Sequence, residues 1–309
     1  MATSGNSNFT VTRDAIIQSA LRTLGVLGAG ATPLTEDYTN CSEALNIMIK
    51  AWVVKGFPLW CYQQVIMQQV EGLIVYPMGP NSGYIASVSS TGGTGYTAGT
   101  WTAVGGTTGT DASGTYTVTS GKPSVFTVLV AGTSYTSAPT SFTLSGAGTG
   151  ATITGLVAGA TISRPLRIIS AFIRTSDNND RTLIPLSRDE YDTLGSKNQV
   201  SATNSYYYDC QLDTGYLNVY SPSSDSTSYL YALAHRTFQD MDVGTDTFDF
   251  PQEWFLALKW GLSSELAEEY GIEAEKISRL EQKALYYLQE VSDFSVEEAS
   301  IFFTMSARH

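Results

Sequence analysis

Two histidines, three cysteines and one tight group of aspartates are the side chains of this 309-residue sequence whose types and spacing bear most directly on chemistry. Imidazole is the usual acid–base group near neutral pH, yet His309 is the last residue and His235 closes the apolar run SYLYALAH. His235 therefore reads as a half-buried or edge histidine of a sheet. Cys41, Cys61 and Cys210 lie far apart in apolar surroundings and read as reduced core thiols. No pair of cysteines or histidines has zinc-ligand spacing, so a metal would have to be bound by oxygen. Asp240, Asp242, Asp246 and Asp249 are the candidates. A calcium loop would need its glycine elsewhere than Gly244 and a glutamate at its closing position. These carboxylates read instead as solvated turn residues and a helix N-terminal cap. GVLGAG at 25–30 and GGTGYTAG at 92–99 miss the spacing of dinucleotide and phosphate loops and read as turns. The sequence predicts no catalytic residue, no metal and no cofactor, although a hydrolase with scattered serine or carboxylate partners would leave no local signature.

The elements that would position any site fall into three regions. Thr12 caps a predicted helix with the stripe Ile16, Ile17, Ala20, Leu21 and Leu24, stopped by Gly25. A second helix from Thr35 carries Cys41, Leu45, Met48, Ile49 and Trp52 and ends at Gly56. Strands follow at WCYQQVIMQQV, LRIISAFI, TLIPL, YLNVY and SYLYALAH, expected to form an antiparallel sheet, with a Ser187–Glu190 capping box for one helical turn. Pro251 opens a third long helix through Tyr270, and a fourth carries Ile277, Leu280, Ala284, Leu288 and Val291. The fold class is α+β: a helical bundle of two N-terminal and two C-terminal helices, an antiparallel β region and an inserted all-β repeat domain.

Composition marks the insertion. Residues 81–161 hold 16 Gly, 20 Thr and 11 Ser, with Asp111 and Lys122 the only charges. Recurring Val, Tyr, Phe and Trp distinguish the segment from a flexible linker and suggest short strands joined by glycine turns. TGGTGYT at 91–97 aligns with VAGTSYT at 130–136, and GTDA at 109–112 with GTGA at 148–151, both 39 residues on. Two copies of a small β-unit, each burying its core on the other, is the physical reading. The predicted divisions are 1–80, 81–163, 164–294 and a tail, 295–309.

Charge narrows the function classes. Seventeen Lys and Arg against 29 Asp and Glu give a net charge of −12, which argues against a protein that grips nucleic-acid phosphates. From Phe238 onward the balance is 15 acids to 5 bases. An acidic helical region is ordinarily a solvated face; the sharper reading is a surface that lets a polyanion slide past without sticking. No apolar run reaches the ~18–20 residues that cross a bilayer, and the start lacks the pattern of a signal peptide, so a chain made in the cytoplasm without membrane contact is expected.

Several blocks, in order, resemble the head-to-tail adaptors, or packaged-DNA stabilisation proteins, of short-tailed bacteriophages. They are FTVTRDAIIQSALRTLGVLGAGATP, EALNIMIKAWVVKGFPLW, YPMGP, SRPLRIISAFI, PLSRDEYDTL, YYYD, GYLNVYSP and FDFPQEWFLALKWGLSSELAEEYG. The resemblance spans residues 9–290 apart from the glycine-, threonine- and serine-rich segment, which stands inserted between Pro80 and Arg164. It implies a non-enzymatic virion protein at the head–tail junction, in a ring of about twelve copies. Such a ring docks beneath the portal protein, extends the DNA channel and receives a tail nozzle or hub and fibres or spikes, with packaged DNA passing unread. It also implies portal docking by the C-terminal tail, with Ile301, Phe302 and Phe303 as anchors. Glu265, Glu268 and Glu269 are the expected acidic channel residues, and Tyr96, Trp101 and Tyr135 the expected partner contacts of the insertion. Two rival readings are a carbohydrate-binding virion or tail protein that stacks sugars on those aromatics and an envelope-degrading hydrolase.

Overall fold

A computed structural model of the chain describes residues 9–55, 59–80, 82–105, 112–159 and 162–294. Its contacts separate into two units, 1–60 with 238–309, and 61–237. The described residues include α1 (Arg13–Leu24), α2 (Thr35–Lys55), α3 (Arg188–Thr193), α4 (Phe255–Glu265) and α5 (Ala274–Phe294). The architecture is mixed α and β, with several antiparallel sheets.

The first unit is helical. Thr12 accepts a bond from the Ala15 amide at the start of α1, and Gly25 ends the helix at φ 83°, its N–H reaching the Leu21 and Arg22 carbonyls. Left-handed backbone at this position favours glycine. The buried stripe of α1 is Ile16, Ile17, Ala20, Leu21 and Leu24, and α4 lies against α1, α2 and α5. Pro251 begins a short 3-10 turn, Gln252–Trp254, and α4 ends at Glu265, earlier than the sequence pattern suggested. Leu266 and Ala267 stay fully buried although the backbone has tightened, with the Ala267 amide bonded to the Ser264 carbonyl. The apolar period thus continues through a turn. Trp60 packs on Phe238, Phe250 and Trp254 with ring centroids 5.1–6.1 Å apart.

The second unit comprises β1 (Tyr62–Gln68), β2 (Val75–Met78), β3 (Tyr84–Thr94), β4 (Gly99–Val104), β5 (Ser113–Thr119), β6 (Lys122–Val130), β7 (Ser141–Leu144), β8 (Thr149–Ala158), β9 (Pro165–Arg174), β10 (Asp180–Thr182), β11 (Ile184–Pro185), β12 (Ser205–Cys210), β13 (Gly215–Tyr220) and β14 (Tyr229–Arg236). Outside the 81–161 segment they form two sheets rather than the single one expected, ordered β1-β14-β9-β10 and β11-β12-β13-β2. β11 and β12 pair in parallel. The Ser187–Glu190 box is present, each side chain bonded to the other residue's amide.

Within the segment, β3 pairs with β8, and the other four strands run β6-β5-β4-β7. In one ladder Tyr84 opposes Ala158, Val88 opposes Gly155 and Ser90 opposes Ile153; in the other Lys122 opposes Thr119, Phe126 opposes Tyr116 and Val128 opposes Gly114. The register is irregular between Ile85 and Ser87 in the first ladder, and between Ser113 and Gly114 and between Tyr116 and Val118 in the second. The segment does not divide into two self-contained halves in chain order: β3 pairs with β8 and β5 with β6, and β3 runs beside β6 and β7 beside β8. Trp101, Tyr116 and Val128 face inward, whereas Thr100, Thr102, Thr115, Thr117 and Thr143 face water. Gly114 is required where it sits, because a Cβ there would lie 2.7 Å from the Trp101 indole nitrogen and collide with the Thr127 carbonyl.

The shifts in composition at Asn81 and Arg164 fall inside this unit and do not coincide with its borders at Trp60/Cys61 and Thr237/Phe238. One continuous core joins Val65, Met67, Tyr76, Met78 and Leu230 to Tyr84, Ile85, Trp101 and Tyr116. Backbone composition changes at the junctions; the apolar interior does not.

Candidate functional site

The acidic residues singled out in the sequence come together on the helical unit. Glu265 ends α4, and Glu268 and Glu269 occupy the turn after it; all three are exposed. Leu266 and Ala267 between them point inward, so the turn projects its carboxylates and anchors itself with its apolar residues. Nearby, Tyr270 donates to Asp37 at 2.7 Å, which ties this turn to the first residues of α2. The same unit leaves Ile47, Leu285 and Phe294 exposed at 64%, 65% and 77%. A shallow groove of about 280 Å³ is lined by Met48, Trp52, Glu265, Glu281, Leu285 and Leu288 among others. Ile301, Phe302 and Phe303 lie outside the described residues.

The insertion aromatics are placed differently from the expectation. Trp101 and Tyr135 are buried, at 0% and 1% exposure, and offer nothing to a partner or a sugar ring. The Trp101 indole donates to the Thr127 carbonyl at 3.2 Å and meets Phe142 edge-on. The Tyr135 hydroxyl accepts from the Ala112 amide at 3.3 Å. A six-stranded segment this small needs its largest side chains for its own interior. Tyr96 is half-buried, against Gly93 and Gly148.

The ionisable groups do not assemble a reaction centre. His235 is buried on β14 beside the Tyr62 ring, 5.2 Å away, and its Nε2 has no hydrogen-bond partner among the described residues. Burial, then the charge of Arg167, holds its imidazole below the ordinary value. Asp240 pairs with Lys50 at 2.6 Å, Asp246 accepts from the Val243 amide at 2.7 Å, and the Asp242 carbonyl accepts from Arg13 at 3.0 Å. These groups brace the loop, and the helix cap expected of them falls to Pro251, which makes no side-chain bond. Among the described residues no three His, Cys, Asp or Glu side chains are placed to hold a metal. Cys41 and Cys61 are buried as expected, but Cys210 is exposed at the end of β12, 2.8 Å from the Arg164 guanidinium. Cys210 shares the face of Tyr206 and Tyr208 and is exposed because the strand and its cover end there. Burial pushes the Cys41 thiol up, against the bond to Tyr270. A cavity of about 430 Å³ in the β unit is lined mainly by apolar residues such as Val70, Leu73 and Leu129, with Glu71 its only carboxylate.

Sequence reasoning missed one surface. The sheet β1-β14-β9-β10 buries one face through Val65, Met67, Leu230, Ala232, Ala171 and Ile173. Its other face carries Ile66, Tyr231 and Phe172 in one cross-strand row, with Leu233 and Tyr229 in the flanking rows. Tyr231 and Phe172 stack at 4.8 Å, and Arg174 lies 4.8 Å from the Tyr231 ring centre while binding Asp180 through two 2.7 Å contacts. The signal was present in YLYALA, which is apolar at both parities and so describes a strand covered on both faces.

Compared with known proteins, the chain matches no family model and no curated sequence.

Proposed function

We propose that the protein is a non-enzymatic structural component of a virion, a head-to-tail adaptor of the short-tailed phage kind. In this reading about twelve copies form a ring beneath the portal protein, extend the DNA channel and carry tail components. The four long helices are the bundle of the ring wall, and residues 81–163 are an inserted β domain of two related halves that faces outward. Residues 295–309 grip the portal.

The observation that carries the reading is the character of the helical unit's surface. An exposed acidic turn, Glu265, Glu268 and Glu269, stands on the same unit as exposed Ile47, Leu285 and Phe294. Carboxylates repel a passing phosphate backbone, and apolar side chains left in water are suited to burial by neighbours. The order of sequence blocks adds the resemblance to the adaptor family. The sugar-binding alternative loses its support with Trp101 and Tyr135 buried.

The test is assembly. Purified chain mixed with portal protein is expected to yield ring-shaped particles by negative-stain microscopy, and a chain ending at Phe294 is expected to lose portal co-purification. A chain that remains a single copy in the presence of portal overturns the reading.

A further inference from the structure

Within the β unit, the described residues leave the outer face of the β1-β14-β9-β10 sheet uncovered at Ile66 and Tyr229. An antiparallel sheet with one solvated face ordinarily alternates apolar inward and polar outward. The neighbouring strands of the same unit follow this rule in part: Thr100, Thr115 and Thr143 occupy outward positions over an aromatic interior, while Val125, Leu129 and Val130 of β6 are exposed singly along one strand. The β1-β14-β9-β10 sheet departs from it. Ile66 is 52% exposed and Tyr229 44% exposed, and Tyr231, Phe172 and Leu233 complete a contiguous patch across three strands.

Resting on the adaptor reading, we propose that this sheet face is the surface covered by the adjoining copy of the chain in the ring.

Charge selects the occupant. A chain of net charge −12 is repelled by its own copies wherever acidic surfaces meet. Arg174 and Asp180 at this face neutralise each other through a two-pronged pair, Arg167, in register with His235 at the far end, adds one positive charge, and the β1 strand contributes the uncharged Gln64 and Gln68 to its outward positions. A neighbour can therefore lie against the patch without a Coulomb penalty. Arg167 alone is too little charge to hold a polyanion, and a polycation finds no net negative charge there. The apolar centre with a polar rim has the make-up of a subunit contact. Repeated head to tail, one such contact per copy closes a ring when its rotation divides the circle.

The experiment compares the full-length chain with Ile66→Glu, Tyr231→Glu and the control Thr115→Glu, each replacing an outward side chain. Mass is read by size exclusion with light scattering across a concentration series, alone and with portal protein, and circular dichroism melts confirm folding. The expected result is that wild type and Thr115→Glu assemble alike, while each patch variant keeps its melt and needs at least tenfold more protein to assemble. Patch variants that assemble as wild type does overturn this inference and leave the adaptor reading standing. Variants that form rings but lose portal binding put the portal on the patch and overturn it as well. Wild type that stays a single copy under every condition overturns both.

Discussion

Individual residues of this protein are read best by asking what each would lose by moving. Trp101 would lose a complete enclosure and its bond to the Thr127 carbonyl. Trp101→Ala is expected to destabilise the β unit by about 3–5 kcal/mol, measured by denaturant unfolding. His235 would lose little by pointing elsewhere, since its Nε2 is buried and unbonded among the described residues. Its folded-state value lies below the ordinary 6.5, so the unfolded chain binds the proton more readily. Stability is then fully present above 6.5 and falls as the pH drops below it towards the folded value. A His235→Leu chain is expected to show a flatter dependence of melting temperature between pH 7 and 5 than wild type; parallel curves would remove His235 from the acid response. Both residue types were visible in the sequence, but only the histidine's bland role was legible. Trp101 looked like a contact residue because a Gly- and Thr-rich tract gives no sign of which aromatics its interior consumes.

Elements were legible where the pattern is local. The α1 stripe with its Thr12 cap and Gly25 stop, and the Ser187–Glu190 box, depend on residues within a turn or two of each other. Ser187→Ala is expected to cost about 1 kcal/mol, read as faster amide exchange confined to α3. The end of α4 was not legible, because Leu266 and Ala267 keep the helical burial period after the backbone leaves the helix. The pairing of strands was hidden for a different reason. A match between 91–97 and 130–136 reveals that two stretches are alike, but whether like stretches fold separately or interleave their strands is decided by contacts far apart in sequence. That interleaving changes what a deletion does. Removal of 82–161 takes Tyr84, Ile85, Trp101 and Tyr116 out of a core shared with Tyr76, Met78 and Leu230. The deleted chain is expected to lose cooperative unfolding of the second unit instead of shedding an independent module; an unchanged melt would show that the flanking sheets close by themselves.

At the scale of the whole molecule, charge and exposed apolar area carry the function. If the acidic turn lines a DNA path, reversing Glu265, Glu268 and Glu269 to Lys adds phosphate contacts. Reassembled particles should then retain DNA in a salt-sensitive way, with ejection slowed at low salt and restored as salt rises. Ejection kinetics indifferent to the triple change would make these carboxylates ordinary solvent residues. The change leaves Leu266 and Ala267 in place, so the fold is expected to keep its melting temperature.

Composition and short-range pattern by themselves determined the mixed α and β class, the acidic balance, the capped helices and the unusual make-up of residues 81–161, because each depends on counting or on neighbours within a few residues. Tertiary structure alone decided that this segment shares its core with the flanking strands, that Trp101 and Tyr135 are inside while Cys210 is outside, and that one sheet leaves Ile66 and Tyr229 exposed and Tyr231 half-buried. The reason is physical: which face of a strand is covered depends on what is laid across it, and a strand apolar at both parities does not say whether its second cover comes from its own chain or from another.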